Sequence, residues 1–235
     1  KDLRCMYHGR RFDLDGKFKS MPEFKLAKEF PRNCENLKEF PVSNLGPFLF
    51  VGLEPLFDMS SVSAKIEDRI SFLPLDFIEF REDLCKDYIV NSHWALYCDN
   101  YLEGFHIPFV HNDLNDVLDY EKYDTEIDEY FNVQIGYAKD GDESIFNFPK
   151  DHQDYGKRIS AYYYWIFPNI MFNVYPWGIS VNVVKPISKD KTKVSFLSYV
   201  YDESKLNHGA GSELDKVERE DEFVVEGVNK GLKSR

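Results

Sequence analysis

The segment NYLEGFHIPFVH, which begins at Asn100, holds the side chains best suited to chemistry in this sequence. His106 and His111 lie five positions apart, and Glu103 precedes the first of them by three. Two neutral imidazoles and one carboxylate form the ligand set typical of non-haem Fe(II), which leaves coordination positions open. Zinc competes for the same donors. The segment therefore suggests a metal site that needs a further ligand, and the alternative is two hydrogen-bonded histidines near a helix end.

A helix over residues 92–106 is expected to position these side chains, because SHWALYCDNYLEGFH contains good helix formers and no proline. Residues five apart on a regular helix point about 140° apart, so they would not converge on one ion. Pro108 ends or kinks the helix, and His111 can then return towards His106. Glu103 lies one turn before His106 on the same helix face, where its carboxylate can accept the N–H of a metal-bound imidazole.

The composition excludes several classes of function. The net charge of −12 argues against nucleic acid or an anionic membrane surface as a partner. No apolar run approaches the roughly 20 residues that a membrane span needs. Four cysteines without a C-x-x-C pair favour a reducing compartment, and we expect the cytoplasm. An aromatic content of 16% favours β-rich structure and a pocket walled by rings.

The sequence pattern predicts an α+β fold. A small β unit with a turn at Asp15-Gly16 comes first, and a buried strand is predicted over residues 47–54. A long final helix is predicted over 211–234, with Ser212 as its N-cap. Aromatic and β-branched segments before that helix predict an antiparallel sheet packed against helices: EYFNVQIGYA, AYYYWIF, IMFNVYPWGISVNVVKPI and KVSFLSYVYDE. The apolar stripe of the final helix is expected at Leu214, Val217, Val224, Val228 and Leu232.

Three motifs in order resemble the α subunit of Rieske non-haem iron oxygenases, the ring-hydroxylating oxygenase family. CMYHGRRFDLDG is similar to the second half of the Rieske cluster motif, NYLEGFHIPFVH to the mononuclear iron motif, and EREDEFVVEGVNKGL to the segment with the third iron ligand. The resemblance implies that His106, His111 and Asp221 bind the mononuclear Fe(II). Glu220 and Glu222 stay open as alternatives to Asp221, because a charge run on a helix is usually a solvated face.

The resemblance also implies the domain organisation. Residues 1–40 would be the C-terminal part of an all-β Rieske domain, and residues 41–235 a helix-grip catalytic domain with an antiparallel sheet against the long C-terminal helix. A Rieske [2Fe–2S] cluster needs two cysteines and two histidines. Cys5 and His8 would provide half of that set. We expect the other two ligands to lie upstream of a trimmed start, because the sequence enters mid-motif and has no initiator Met.

Members of the family are typically trimers that receive electrons from a reductase or ferredoxin. In such a homotrimer Glu103 would bridge His8 of one subunit to His106 of the next, and Asn100 and Tyr101 would support the iron ligands. Many members have Asp at the position of Glu103, and Glu resembles the branch that acts on choline, carnitine and betaines.

The implied activity is that of a terminal oxygenase component, which uses O2 and reductase electrons on a small organic substrate. Substrate-binding rings are expected from the strand aromatics Trp165, Phe172, Tyr175 and Trp177, with Tyr164 a further candidate. Cation–π contact with an ammonium group contributes roughly 0.5–2 kcal/mol per ring. The same rings could equally pack against a planar aromatic substrate or fill the core. Because of Glu103, monooxygenation or N-demethylation of a quaternary ammonium compound is slightly favoured.

Other functions remain open at this level. The first is dihydroxylation of an aromatic ring, with a role in aromatic hydrocarbon catabolism. A non-enzymatic helix-grip binding protein with a degenerate iron site is the second, and a zinc hydrolase is the third. The half motif around Cys5 and His8 argues against the hydrolase, because hydrolysis needs no electron transfer.

Overall fold

The structure, a computed structural model, describes residues 1–234. The chain divides into two compact units, of which the first is Lys1–Ser60 and the second begins at Ser61. Sequence analysis placed the boundary at residue 40, whereas residues 41–60 belong to the first unit in the structure. The assignment of residues 1–40 to a Rieske domain stays a prediction.

The first unit is built from short antiparallel strands. Gly16, at φ +78°, donates its N–H to the carbonyl of Asp13, which confirms the turn at Asp15-Gly16. The predicted strand over 47–54 forms, but Leu49 and Val51 are 75% and 63% exposed, so its predicted burial is wrong. The strand pairs only with its hairpin partner, and a two-stranded hairpin leaves a face uncovered. The strands are β1 (Leu3–Arg4), β2 (Arg11–Phe12), β3 (Phe18–Ser20), β4 (Val42–Leu45) and β5 (Phe48–Val51).

The second unit contains an eight-stranded sheet with antiparallel pairing throughout. Its order is β6-β13-β12-β11-β10-β9-β8, and β7 also pairs with β13. The four predicted aromatic and β-branched segments all lie in this sheet, which confirms them. The strands are β6 (Glu79–Phe80), β7 (Lys86–Val90), β8 (Asp124–Ile127), β9 (Phe131–Tyr137), β10 (Ile159–Ile166), β11 (Ile170–Tyr175), β12 (Gly178–Ser188) and β13 (Lys191–Val200).

The helix that leads into the histidine segment is shorter than predicted. It ends at Leu102, and Glu103 has extended backbone (φ −123°, ψ 148°). Gly104 then brings the chain so close to Tyr123 that an added Cβ would lie 2.8 Å from the ring. Pro108 begins a new helix instead of ending the first one, because the first turn of a helix needs no N–H from that residue. The helices before the sheet strands β8 to β13 are α1 (Met59–Ile70), α2 (Trp94–Leu102), α3 (Ile107–Val110) and α4 (Asn112–Val117).

The final helix, α5 (Leu214–Gly231), packs against α2 and β7. Ser212 is not its N-cap, because Glu213 holds that position without a side-chain hydrogen bond. The buried face carries Glu218, Val225 and Asn229, and the predicted stripe is wrong at its end, where Val228 and Leu232 are 46% and 70% exposed.

Val225 joins the core cluster that includes residues of β7, α2 and the sheet. The prediction of an antiparallel sheet packed against a long C-terminal helix is therefore confirmed. In the described part of the chain, no helix combines the length and the apolar character needed to cross a bilayer.

Candidate metal centre

Three potential metal ligands from separate elements converge in the second unit. His106 immediately precedes α3, His111 lies between α3 and α4, and Asp221 lies in the middle of α5. One ligand atom from each residue lies within 4.8 Å of the other two. Asp221 Oδ1 is 3.1 Å from His111 Nε2 and 3.5 Å from His106 Nε2. The spacing would allow one ion to bind all three.

Each histidine ring is also held from its other nitrogen by a carboxylate. Glu103 Oε1 lies 2.6 Å from His106 Nδ1, and Glu220 Oε2 lies 2.8 Å from His111 Nδ1. If both Nδ1 atoms carry the proton, each Nε2 presents a lone pair towards Asp221. The sequence predicts that Glu103 and His106 share one helix face. This prediction is wrong, because the helix ends at Leu102 and Glu103 lies beyond it. Its carboxylate turns back from the extended residue after α2 and also accepts the backbone N–H of His106 at 3.3 Å.

Asn100 fixes the orientation of the third candidate ligand. From α2 its Nδ2 donates to Asp221 Oδ1 at 2.8 Å. Among the acidic neighbours, it is Asp221 that faces both Nε2 atoms, while Glu220 reaches the far side of the His111 ring. Glu222 makes neither of these contacts with the histidine rings. The placement therefore favours Asp221 over both alternatives.

The electrostatics of the centre favour a bound cation. Burial alone would lower the pKa of His111, but hydrogen bonds and charge attraction from Asp221 and Glu220 outweigh it and raise that pKa. Together with Glu103, the centre has three carboxylates around two imidazoles. Two imidazoles and a carboxylate on one side of a common point fit Fe(II) with open positions, so the residues present suit that metal.

A cavity of about 100 Å³ adjoins the centre, and His106, His111 and Asp221 form part of its wall. Aromatic, aliphatic and polar side chains form the rest of the wall, as is typical of ligand pockets. The rings are Tyr97, Tyr101, Tyr123, Tyr163, Tyr175 and Phe196. The polar side chains besides the centre are Asn100, Glu103, Gln134, Asn173, Asn182 and Glu218.

Of the four predicted substrate-binding residues, only Tyr175 lines this cavity. Phe172 pairs in register with Tyr164, so strand alternation turns both to the opposite sheet face from Tyr163 and Asn173.

The two predicted tryptophans also lie outside the cavity wall. Trp177 stacks on the Tyr175 ring at 5.2 Å between centroids, which places it behind the wall. Trp165 packs against the core cluster that contains Cys98 of α2. Sequence reasoning missed most of the wall, although alternation along β11 from Tyr175 leads to Asn173, and one helical turn back from Asn100 leads to Tyr97.

The two candidate cluster ligands both lie in the first unit. Cys5 and His8 are exposed residues of the loop between β1 and β2. Backbone N–H groups of Tyr7 and His8 lower the pKa of the Cys5 thiol, which favours the thiolate that binds metal. Gly9, at φ +73°, closes the loop by donating its N–H to the Cys5 carbonyl at 3.0 Å. The loop thus leaves both side chains at the surface, and their role as cluster ligands stays a prediction.

Comparison with known proteins gives the family. Residues 77–235 match the family described as the ring hydroxylating alpha subunit (catalytic domain). The chain is 29% identical to the chloroplastic choline monooxygenase of Arabidopsis thaliana over 98% of its own length and 57% of that protein. It is 27% identical to the carnitine monooxygenase oxygenase subunit of Escherichia coli strain K12, over 99% of this chain and 62% of that one. The chain therefore spans between half and two thirds of the length of these relatives.

Solved structures share the fold. The quaternary ammonium Rieske monooxygenase CntA in complex with L-carnitine has a TM-score of 0.68 and 20% identity, over 100% of this chain and 62% of that one. Naphthalene 1,2-dioxygenase from Rhodococcus sp. bound to indole has a TM-score of 0.68 and 14% identity, over 99% and 64% of the two chains. Because the family model matches residues 77–235, more than half of the chain, the chain belongs to the ring hydroxylating alpha subunit family.

Proposed function

We propose that this chain provides the mononuclear iron centre of a terminal oxygenase that acts on a quaternary ammonium compound, by monooxygenation or N-demethylation. The observation that carries the proposal is the convergence of His106, His111 and Asp221 at the wall of an aromatic cavity. Fe(II) bound there would supply the activation of O2 beside the substrate.

The protein's own residues would hold the ligands and the substrate in place. Glu103 and Glu220 would keep the Nδ1 protons on the two imidazoles, so that both Nε2 atoms remain metal-binding. Asn100 would hold the Asp221 carboxylate by its amide N–H. The buried rings of the cavity would exclude bulk water and attract a cationic substrate by cation–π contact.

The substrate class rests on the relatives and on the cavity wall. Choline and carnitine monooxygenases are named among the matched proteins, and both names refer to quaternary ammonium compounds. A role in aromatic hydrocarbon catabolism does not fit these relatives and is corrected here. Aromatic-ring dioxygenation is the second candidate, because naphthalene 1,2-dioxygenase shares the fold. It ranks below the ammonium substrates because this likeness concerns the fold alone.

Electron supply involves the first unit in this proposal. Cys5 and His8 would hold one part of a [2Fe–2S] cluster whose other ligands are not among the described residues. A reductase or ferredoxin would reduce the cluster, and in a homotrimer Glu103 would bridge it to His106 of the next subunit. The cytoplasmic location also stays a prediction.

The proposal is tested by O2 uptake of the holoenzyme with a reductase and NADH. Choline, carnitine and glycine betaine are compared with naphthalene, and oxidised product is measured beside O2. We expect coupled uptake with at least one ammonium compound, and loss of it in His106→Ala and Asp221→Ala. Glu222→Gln, on the same helix, serves as the control and should retain activity. Coupled product from naphthalene alone would favour the aromatic dioxygenase instead.

A further inference from the structure

The cavity wall contains a buried carboxyl group that the metal centre does not use. Glu218 of α5 is 2% exposed and lines the cavity. Its Oε2 accepts a short hydrogen bond from the Tyr97 hydroxyl. Its Oε1 is buried and has no hydrogen-bond partner within residues 1–234. Because a buried carboxyl oxygen without a partner is costly, its retention needs an explanation.

The protein supplies no counter-charge for this group. None of the ion pairs formed by the described residues includes Glu218. Burial raises its pKa well above the usual range, the Tyr97 hydrogen bond opposes this, and the charges of Asp221, Glu222 and Asp215 raise it further. The empty cavity therefore favours the neutral carboxyl, and a cation bound beside it would favour the carboxylate. A cation that enters the cavity would provide the opposite charge that Glu218 lacks among the described residues.

The surroundings of Glu218 define the chemistry of that cation. The cavity wall carries rings from five tyrosines and one phenylalanine, named above, and none of the described residues that line it is a lysine or an arginine. An aromatic wall attracts a quaternary ammonium group, which has no N–H to donate and therefore needs rings and a nearby negative charge rather than a hydrogen-bond acceptor. Glu218 also lies three residues before Asp221 on α5, so both side chains share one helix face beside the metal centre.

We propose that Glu218 is the specificity-determining counter-charge that selects a quaternary ammonium group over a neutral group of the same shape. The inference rests on the proposed function and deepens it, because it assigns charge recognition to one side chain. Tyr97 acts as a positioning residue that holds Oε2 and leaves Oε1 without a partner among the described residues. A purely structural role for Glu218 would affect charged and neutral ligands alike.

The test measures anaerobic binding to the holoenzyme by calorimetry, with choline and its neutral isostere 3,3-dimethylbutan-1-ol. The wild type should bind choline more tightly. Glu218→Gln keeps the size of the side chain and an acceptor for Tyr97, and it should reduce the preference for choline by on the order of tenfold, with little change for the isostere. Glu222→Gln removes the same charge from the same helix outside the cavity and should leave the preference unchanged.

The outcomes separate the two proposals. A wild-type preference for choline that survives in Glu218→Gln would overturn this inference and leave the proposed function standing. Absence of any preference for choline in the wild type would overturn this inference, while the O2-uptake experiment decides the proposed function separately. If Glu218→Gln does not fold, Glu218→Leu replaces the carboxyl group by a neutral side chain, and an unchanged preference in that variant would equally refute the role of Glu218.

Discussion

At the scale of single residues, the carboxylates of Glu103 and Glu220, which hold the imidazole rings from outside, define the centre as much as the candidate ligands do. Each imidazole has one nitrogen near a carboxylate that is not a ligand, Glu103 or Glu220, and the other nitrogen near Asp221. Such outer partners fix the tautomer and the ring orientation. Metal affinity should therefore depend on residues that never touch the metal.

Glu220→Ala provides the sharpest test of that dependence. The substitution removes the acceptor of the His111 Nδ1–H, and we expect the affinity for Fe(II) to fall by about 10–100-fold. Anaerobic competition with a chelator measures the affinity. Glu222→Ala, two positions along the same helix, is the matched control and should bind as the wild type does. Equal affinity in the two variants would show that Glu220 has no part in holding the ring.

Residue-scale features differ in how far the sequence reveals them. His106 and His111 stand out by type and spacing, whereas Asp221 is selected within EREDE only by the family motif. The apolar pattern of α5 misleads here, because its buried face carries polar residues that have partners: Tyr97 donates to Glu218, and Asn229 donates to the Asn91 carbonyl. Glu220 meets His111 across 109 positions, a contact that no local pattern encodes.

At the scale of elements, the close pairing of β12 with β13 supports the cavity wall. Gly178 begins β12 opposite Val200, and a Cβ at this position would collide with the backbone carbonyl oxygen of Tyr199. Backbone of a central sheet cannot move aside as a flexible side chain can. The glycine therefore allows the two strands to approach at the point where the chain returns from Tyr175.

Gly178→Ala should lower the free energy of unfolding by about 1–3 kcal/mol, the usual cost of overpacking. Denaturant titration followed by far-UV circular dichroism measures the change. Gly227→Ala is the control, because Gly227 lies inside α5 with nothing within 4 Å of an added Cβ. That variant should gain up to about 1 kcal/mol from helix propensity. A Gly178→Ala protein as stable as the wild type would contradict the close packing.

A buried ionic network joins α1 to the sheet on the other side of the second unit. Arg69 donates to both oxygens of Asp154, at 2.9 and 3.2 Å, and Tyr162 and Lys157 donate to the same carboxylate at 2.7 Å. Burial raises the pKa of Asp154, but these donors outweigh it and lower that pKa to about 2. The folded state therefore favours the ionised carboxylate.

The network predicts a defined pH dependence. The unfolded chain takes up the Asp154 proton near pH 4 and the folded chain only near pH 2, so the stabilisation is present above about pH 4 and is lost as the pH falls towards 2. Asp154→Asn should cost about 2–4 kcal/mol at pH 7, and the difference from the wild type should shrink across that window. Denaturant titrations between pH 7 and pH 2 measure it, with the exposed Asp151→Asn as control. A difference that stays constant with pH would contradict the assignment.

At the scale of the whole molecule, the sequence predicts the class of fold better than the position of the cavity. Strand and helix patterns extend over many residues, so the sheet and α5 are recognisable from local sequence. The cavity wall depends on strand register and on which face each ring occupies, which is why Tyr175 was found and Phe172 was misplaced. The end of α2 at Leu102 depends on the approach of Gly104 to Tyr123, a contact between distant segments.

The central claim of this account is that one Fe(II) is bound jointly by His106, His111 and Asp221. Anaerobic Fe(II) titration of the wild type and of Asp221→Ala, with cluster iron counted separately by its absorbance, tests it most directly. We expect one tight mononuclear site in the wild type and a loss of affinity of more than about 100-fold in the variant, beyond the range for an outer hydrogen-bond partner. Binding of one Fe(II) with wild-type affinity by Asp221→Ala would contradict the account.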